Sequence, residues 1–288
     1  MSMSDEQRLV EAARQGDAAA LESLLAGQQS RVFRFALKMC RLREDAEEVL
    51  QDTLLAAVRT LGQYRGDAAL STWLYTIARS FCIKRRRRTK FAPTALVSLD
   101  SEDARAAREA PDPRRGPDEA LAERQTTAAL GRAMDALAPA YREVLVLRDV
   151  EGLRAAEVAE VTGLSVDAVK SRLHRARTSV RRAMAPLLGG KVGLHRPRGC
   201  PDVATLFSRH LEGDISPAVC ARMERHLAGC QRCEGICASL RATLRVCSAV
   251  PAPRVPASVK HALKKEIRSL LSQHANPRAR GRLSPREE

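Results

Sequence analysis

The chain has 288 residues, enough for two or three small domains that each bury their own core. Its formal net charge of +15 favours a polyanionic partner. The polar, acidic N-terminus argues against a signal peptide, and no apolar run approaches the roughly 18 residues of a membrane helix. We therefore expect a cytoplasmic protein without a membrane partner.

Apolar residues recur at helical spacing along most of the chain, and strand patterns are almost absent. The predicted fold class is all-α. Residues 5–90 are expected to form one compact helical domain. Its predicted buried positions are Leu21, Leu24, Leu25, Val32, Phe35, Ala36 and Met39, then Val49, Leu50, Thr53, Leu54, Ala57, Val58 and Leu61, and finally Trp73, Leu74, Ile77, Ala78 and Phe81.

Four prolines among charged residues and alanines predict a flexible linker at 91–120. Helices resume at about Leu121 and continue to about Leu188. A stretch rich in Gly, Pro and basic residues then leads to a small helical unit at 196–250, which holds six of the eight cysteines. Residues 251–288 are expected to contain a basic amphipathic helix at 257–273 and a disordered basic tail.

Residues 151–182 have the pattern of a helix-turn-helix. A short amphipathic helix is followed by a turn at Gly163, and Ser165 is placed to cap the second helix. The exposed face of that second helix can enter a major groove, where basic side chains read guanine and hold phosphates. An ordinary helical hairpin with a solvated basic face is the alternative. The predicted DNA-reading residues are Lys170, Ser171, His174 and Arg175.

Five of the nine aromatic residues lie between positions 64 and 91, next to a run of basic residues. Opened DNA needs stacking partners for its bases and positive charge for its backbone, so this segment is a candidate for contact with unpaired strands. Trp73 shares a helix face with Ile77 and is equally compatible with core packing. The candidates are Trp73, Tyr75 and Phe81 for stacking, and Arg79 and Lys84 to Arg88 for the phosphates.

The segments 45–88 and 152–177 together closely resemble the extracytoplasmic-function (ECF) class of sigma-70 factors, over about residues 5–188. The resemblance implies a transcription initiation factor that binds core RNA polymerase through its β′ and β subunits and also binds promoter DNA. Residues 121–188 would read the −35 element. Residues 5–90 would recognise and melt the −10 element, with Trp73, Arg79, Ser80 and Lys84 at the DNA.

The same resemblance implies that an acidic helix docks on the polymerase β′ coiled coil. Without the family, a solvated acidic face would be the simpler interpretation. The residues concerned are Asp45, Glu47, Glu48, Gln51 and Asp52.

The cysteine-rich unit contains Cys200 and the spacing His226-x3-Cys230-x2-Cys233. An i, i+4 His/Cys pair lies on one helix face, and a Cys-x2-Cys turn adds a further sulfur, so these four residues predict a tetrahedral Zn²⁺ site. Inert buried cysteines, or His210 in place of Cys200, are the alternatives. Cys220, Cys237 and Cys247 remain for the core, for redox chemistry or for an extra metal site.

This spacing resembles the zinc-binding anti-sigma fold over about residues 196–247 and implies an intramolecular sigma–anti-sigma contact. No nucleophile–base pair, phosphate loop or carboxylate dyad stands out, so we expect no enzyme activity. The leading hypothesis is an initiation factor regulated by its own zinc domain, with the sign of regulation open. The alternatives are a metal- or redox-sensing helix-turn-helix regulator, or an activator that does not melt DNA.

Overall fold

The computed structural model describes residues 3–40, 42–89, 117–188 and 199–275. Every regular element in these ranges is a helix, which confirms the predicted all-α fold class. No helix among them is both long enough and apolar enough to cross a membrane. The chain divides into two compact units, Met1–Ala95 with Pro253–Glu288, and Leu96–Ala252.

The first unit begins with four helices. Asp17 caps the second of them, because its carboxylate accepts hydrogen bonds from the backbone N–H groups of Ala19 and Ala20 at 2.8 and 3.0 Å. A short 3-10 turn, Leu61–Gln63, follows the third. The helices are α1 (Met3–Arg14), α2 (Ala18–Met39), α3 (Arg43–Thr60) and α4 (Leu70–Thr89).

The core of this unit lies where α2, α3 and α4 pack on one another. Phe35, Leu54 and Leu74 are fully buried there, as the helical spacing predicts. The last helix among the described residues, α12 (Ala257–Ala275), belongs to the same unit. It packs on α2 and α3 and buries Leu263 and Ile267.

The second unit opens with α5 (Pro117–Asp135), which begins four residues before the predicted restart at Leu121. The rest of the predicted linker lies outside the described residues, as does the predicted disordered tail. Next come α6 (Pro139–Leu145), a π turn (Val146–Val150), α7 (Ala155–Thr162) and α8 (Val166–Met184). Proline suits the first position of α6, where a backbone N–H would have no helical partner.

Three further helices complete this unit, namely α9 (Val203–Leu211), α10 (Pro217–Gly229) and α11 (Gln231–Ser248). Their shared core contains Val203, Phe207, Met223, Cys237 and Leu240. Both α9 and α11 also pack on α8, which α5, α6 and α7 contact as well. The helix predicted to read DNA is therefore the most central element of its unit.

Candidate nucleic-acid interface and metal centre

The helix-turn-helix forms through the local signals that the sequence carries. Gly163 has a φ of +69°, in the left-handed region that glycine adopts readily, and ends α7. The Ser165 hydroxyl accepts a hydrogen bond from the backbone N–H of Ala168 at 3.2 Å and caps α8. Four apolar residues at helical spacing on α8 are buried, namely Val169, Leu173, Ala176 and Val180.

The four predicted DNA-reading residues lie on two sides of α8. Ser171 and Arg175 are exposed, and an Arg175 guanidinium N–H donates to the Tyr141 hydroxyl at 3.2 Å. Lys170 and His174 instead contact the cysteine-rich unit. Lys170 forms a short ion pair with Asp214 in the loop after α9. The structure thus does not bring the four side chains together on one open face.

His174 lies half-buried against α9. Its Nε2 is 3.0 Å from the Thr205 hydroxyl, and its Nδ1 is buried without a hydrogen-bond partner in the described part of the chain. Burial lowers the pKa of His174, and the nearby Arg175 and Arg177 lower it further, while Asp202 acts in the opposite direction. These surroundings therefore favour the neutral form of the ring.

Arg177 is a buried, ion-paired residue that the sequence pattern did not single out. Its side chain is 2% exposed and is bound by two carboxylates. The guanidinium lies 2.7 and 2.9 Å from the Asp149 carboxylate oxygens and 2.7 Å from Glu212 Oε1. It also donates to the Ser208 hydroxyl at 3.2 Å. Burial acts against its charge, but the two carboxylates outweigh burial and raise the pKa of Arg177.

Glu212 also accepts a hydrogen bond from Arg148 Nε at 3.0 Å, so one carboxylate joins the π turn, α8 and α9. We use the name α8–α9 interface for the contacts of Lys170, His174, Arg177 and Arg148 with α9 and the loop after it. The spacing of Lys170, His174 and Arg177 follows one helical stripe. The spacing of these residues can be recognised in the sequence, but the helix that they contact cannot.

The aromatic and basic segment of α4 combines core and surface residues. Tyr75 is 1% exposed and packs on Phe35, with 5.4 Å between ring centroids, so the prediction that Tyr75 stacks on DNA bases is wrong. Tyr75 lies on the side of α4 that faces α2, where burial of its ring is more favourable than exposure to solvent. Trp73 is half-buried, with its ring centroid 5.1 Å from that of Tyr64.

The other predicted −10 residues lie towards the surface of α4. Ser80 and Lys84 are exposed, Arg79 is partly exposed, and the Ser80 hydroxyl donates to the Ile77 carbonyl at 2.7 Å. Phe81 is half-buried. The Arg88 side chain and Phe91 lie outside the described residues. These positions leave the proposed DNA contacts of α4 sterically accessible.

The predicted polymerase-binding residues follow one another along α3. Arg85 of α4 forms a short ion pair with Glu48 and lies 3.7 Å from the Asp52 carboxylate. Gln51 donates from Nε2 to Glu266 Oε1 of α12 at 2.8 Å. Burial raises the pKa of Asp45, although Arg85 acts against this. Part of this acidic helix is therefore in contact with α12 of the same chain.

The four predicted zinc ligands converge. Cys200 precedes α9, His226 is in the last turn of α10, Cys230 joins α10 to α11, and Cys233 is in the first turn of α11. Their potential ligand atoms all lie within 4.8 Å of one another, and the Cys200 and Cys230 sulfurs are 3.9 Å apart. His210 is outside this group, which disfavours it as a replacement for Cys200.

The chemistry of this group fits Zn²⁺. Three thiols and an imidazole make up a Cys3His donor set, which Zn²⁺ binds in tetrahedral geometry in structural sites. The Nε2 atom of His226 is buried and has no hydrogen-bond partner among the residues described, as expected of a ligand atom. Burial and the adjacent thiols raise the pKa of Cys233 to about 12, whereas backbone N–H donors lower that of Cys230. A bound cation would stabilise the thiolate forms of these neighbouring cysteines.

Three family models match the chain. The Sigma-70 region 2 model matches residues 25–91, the Sigma-70 region 4 model matches residues 127–180, and a zinc-finger model matches residues 200–233. Region 2 therefore covers most of α2 to α4, and region 4 contains the helix-turn-helix.

Curated relatives match about two thirds of the chain. The RNA polymerase sigma-H factor of Pseudomonas aeruginosa is 29% identical over 192 residues, 65% of this chain and 98% of that protein. The ECF RNA polymerase sigma factor SigM of Mycobacterium tuberculosis is 33% identical over 175 residues, 61% of this chain and 82% of that protein.

Among solved structures, CnrH in complex with the cytosolic domain of CnrY matches with a TM-score of 0.46 and 25% identity. The match covers 63% of this chain and 98% of that one. With both sigma-70 regions present in order, and with SigM matched at 33% identity over most of its length, the chain belongs to the ECF family of RNA polymerase sigma factors, which are transcription initiation factors, and carries a zinc-finger domain after region 4.

Proposed function

We propose that this sigma factor inhibits itself, because its C-terminal helices cover part of the surfaces through which it would bind the −35 element and core RNA polymerase. The α8–α9 interface is the observation that carries the proposal. There the zinc-finger unit supplies carboxylates to the basic residues of the helix that would otherwise meet DNA phosphates and bases.

The −35 element would be read by α8. Arg175 and Ser171 are exposed and available, but Lys170 pairs with Asp214, and the His174 ring lies against Thr205. Phosphate contacts position a recognition helix, and base contacts give it specificity, so both functions require these side chains to be accessible. Release of α9 from α8 is therefore the step that would expose the complete DNA-reading face.

The polymerase surface would be formed by Asp45, Glu48, Gln51 and Asp52 of α3. In the first unit α12 packs on α2 and α3. Besides the Gln51–Glu266 hydrogen bond, Glu22 of α2 accepts from Arg268 at 2.7 Å and pairs with Lys264 at 3.4 Å. A helix held in this way would compete with a polymerase helix for the same face.

The −10 element would be melted and bound by α4, with Trp73, Arg79, Ser80 and Lys84 as the proposed contacts. Arg79 and Lys84 supply positive charge, and Trp73 supplies a ring that is already partly exposed. The protein would perform no covalent chemistry. Binding energy for the separated strand would come from stacking and phosphate contacts.

Zn²⁺ would be held by Cys200, His226, Cys230 and Cys233 and would fix the arrangement of α9, α10 and α11. Because Cys200 directly precedes α9, a metal bound there anchors the start of the helix that covers α8. Structural zinc sites stabilise small domains with few core residues. Zinc would thus maintain the inhibitory contact rather than contact the DNA.

In vitro transcription tests the proposal. The full chain and a 1–190 fragment, each with core RNA polymerase, are given a promoter library, and permanganate detects unpaired thymines in the promoters selected. We expect promoter-dependent transcripts and unpaired thymines with both, and more transcript with the fragment. If neither protein binds core polymerase, the proposed polymerase and promoter contacts are wrong. Equal binding and transcription by the two would refute self-inhibition alone.

The second candidate is a metal- or redox-sensing helix-turn-helix regulator, which the cluster of thiols favours. Such a regulator would bind duplex DNA without core polymerase and would leave thymines paired. The permanganate reaction therefore separates the two candidates on the same DNA.

A further inference from the structure

Two cysteines of the first unit lie in contact with each other, outside the Cys3His group. Cys40 directly follows α2, and Cys82 lies in the second half of α4. Their sulfurs are 3.8 Å apart, and the two residues are 7% and 5% exposed. Both thiols are reduced in this structure. Neither residue belongs to the proposed DNA, polymerase or zinc contacts.

This pair suits a disulfide better than a metal ion. In the described part of the chain, only the Cys3His group brings three or more His, Cys, Asp or Glu ligands together. Zinc sites generally use at least three protein ligands, whereas a disulfide needs only two sulfurs. To form a bond of about 2.05 Å, the two sulfurs must approach by about 1.8 Å, which rotation about the Cα–Cβ bonds can supply.

We propose that Cys40 and Cys82 form a reversible disulfide when the protein reacts with hydrogen peroxide. The Cys40 thiolate attacks one peroxide oxygen, the O–O bond breaks, and the sulfur becomes a sulfenic acid while the other oxygen leaves as water. The Cys82 thiolate then attacks this sulfur, the S–O bond breaks, and a second water leaves. The two thiols lose two electrons, their two protons go to the water formed, and one peroxide is reduced to two waters.

Cys40 is placed to react first. Its backbone N–H donates to the Ala36 carbonyl at 2.7 Å, and α2 ends there. Helix ends open locally more readily than helix interiors, and Cys82 lies inside α4. A small peroxide can therefore reach the Cys40 sulfur during a local opening. The adjacent Cys82 would capture the sulfenic acid before more peroxide oxidises it further.

The bond would stabilise the part of the first unit that contains α2 and α4. It joins residues that are 42 positions apart in the sequence, so it would remove conformational entropy from the unfolded chain. Arg79, Ser80 and Lys84 lie within three residues of Cys82. A disulfide would therefore preserve these −10 contacts under oxidising conditions. This last consequence rests on the proposed function, whereas the bond and its effect on stability do not.

Peptide mapping and hydrogen exchange of the full chain test the bond and its effect. The protein is treated with hydrogen peroxide, the remaining thiols are blocked with N-ethylmaleimide, and tryptic peptides are compared with and without dithiothreitol. We expect a linked peptide that contains Cys40 and Cys82, is lighter by two hydrogens than its two parts and separates on reduction. In the intact oxidised chain, the slowest-exchanging amides of α2 and α4 should exchange at least about tenfold more slowly.

Cys40→Ala and Cys82→Ala should each lack the linked peptide and should show the same exchange in α2 and α4 with and without peroxide. Slow exchange in the untreated variants shows that the unit is folded. The matched control is Cys220→Ser, which removes a partly exposed thiol of α10 and should form the Cys40–Cys82 bond as the wild type does. A wild-type chain in which Cys40 and Cys82 stay unlinked in peroxide overturns the proposal. A linked chain with unchanged exchange in α2 and α4 refutes the stabilising effect.

Discussion

Arg177 and Glu212 form a buried ion pair between the DNA-reading helix and the zinc-finger unit. Arg177 Nη2 lies 2.7 Å from Glu212 Oε1, and the two side chains are 2% and 4% exposed. Removing one partner of a buried ion pair strongly destabilises the protein, because the other charge is left without a partner and without hydration. We therefore expect the contacts between α8 and α9 to break together, so that Lys170 and His174 become exposed in the same step.

Replacement of Arg177 should destabilise the second unit more than any exposed change on α8. Arg177→Met leaves Asp149 with no partner from α8, and loss of one partner of a buried pair costs about 3–5 kcal/mol. Scanning calorimetry should show the second unit melting at a clearly lower temperature. The control Arg175→Met removes an exposed arginine and should change stability by no more than about 0.5 kcal/mol. Similar melting of the two variants would contradict the account.

Removal of zinc should free α8 from α9. A chelator that strips the Cys3His group, or Cys233→Ser, is expected to raise binding to −35 DNA at least several-fold, since Cys200 no longer anchors α9. Metal analysis after dialysis should find one zinc per wild-type chain and none in Cys233→Ser. Cys237→Ala, one helical turn away and outside the ligand group, should keep its zinc. Unchanged DNA binding after complete loss of zinc would show that the metal does not maintain the contact.

Replacing a buried apolar residue of α12 with a charged one should expose the proposed polymerase surface. Leu263 is fully buried, so Leu263→Asp would bring an unpaired carboxylate into an apolar contact and displace the helix. Affinity for core polymerase is expected to rise at least several-fold in a fluorescence anisotropy titration. His261→Asp makes the same charge on an exposed position of that helix and should bind as the wild type does. Weaker binding by Leu263→Asp would indicate that α12 assists docking.

The interface should weaken at acidic pH. The pKa of His174 is lowered by burial in the closed arrangement, so the open form binds more protons, and the closed form loses stability as pH falls through the ordinary histidine pKa of about 6.5. Asp202 opposes this change, and Arg175 and Arg177 reinforce it. DNA affinity relative to that of the 1–190 fragment should therefore rise between pH 7.5 and 5.5. His174→Gln, which can still hydrogen-bond to Thr205 but does not titrate, should abolish most of that rise.

Features set by neighbouring residues could be predicted from the sequence. The Gly163 turn, the Ser165 cap and the His226–Cys230–Cys233 spacing each depend on at most eight residues, and the structure contains all three. The buried stripe of α2 was predicted for the same reason, because 3.6-residue periodicity is local.

Features set by distant partners could not be predicted. Glu212 is 35 residues from Arg177, and Glu266 is 215 residues from Gln51. Periodicity indicates that Lys170 and His174 lie outside the hydrophobic face of α8. It does not indicate whether that polar face contacts DNA or an acidic part of the protein. Tyr75 was assigned to DNA because composition alone does not distinguish an aromatic residue in the core from one on the surface.

The central claim is that the α8–α9 interface restrains transcription. Runoff transcription by full-length Glu212→Gln with core polymerase tests it most directly, because Asp149 still pairs with Arg177 while the bridge to α9 is weakened. Loss of one charge-assisted hydrogen bond, worth about 1.5–3 kcal/mol, should shift the protein towards the open form. We predict at least about a fivefold increase in transcript. The control Glu160→Gln, at an exposed position of α7, should give the same amount of transcript as the wild type. Transcript from Glu212→Gln at or below the wild-type level would contradict the account.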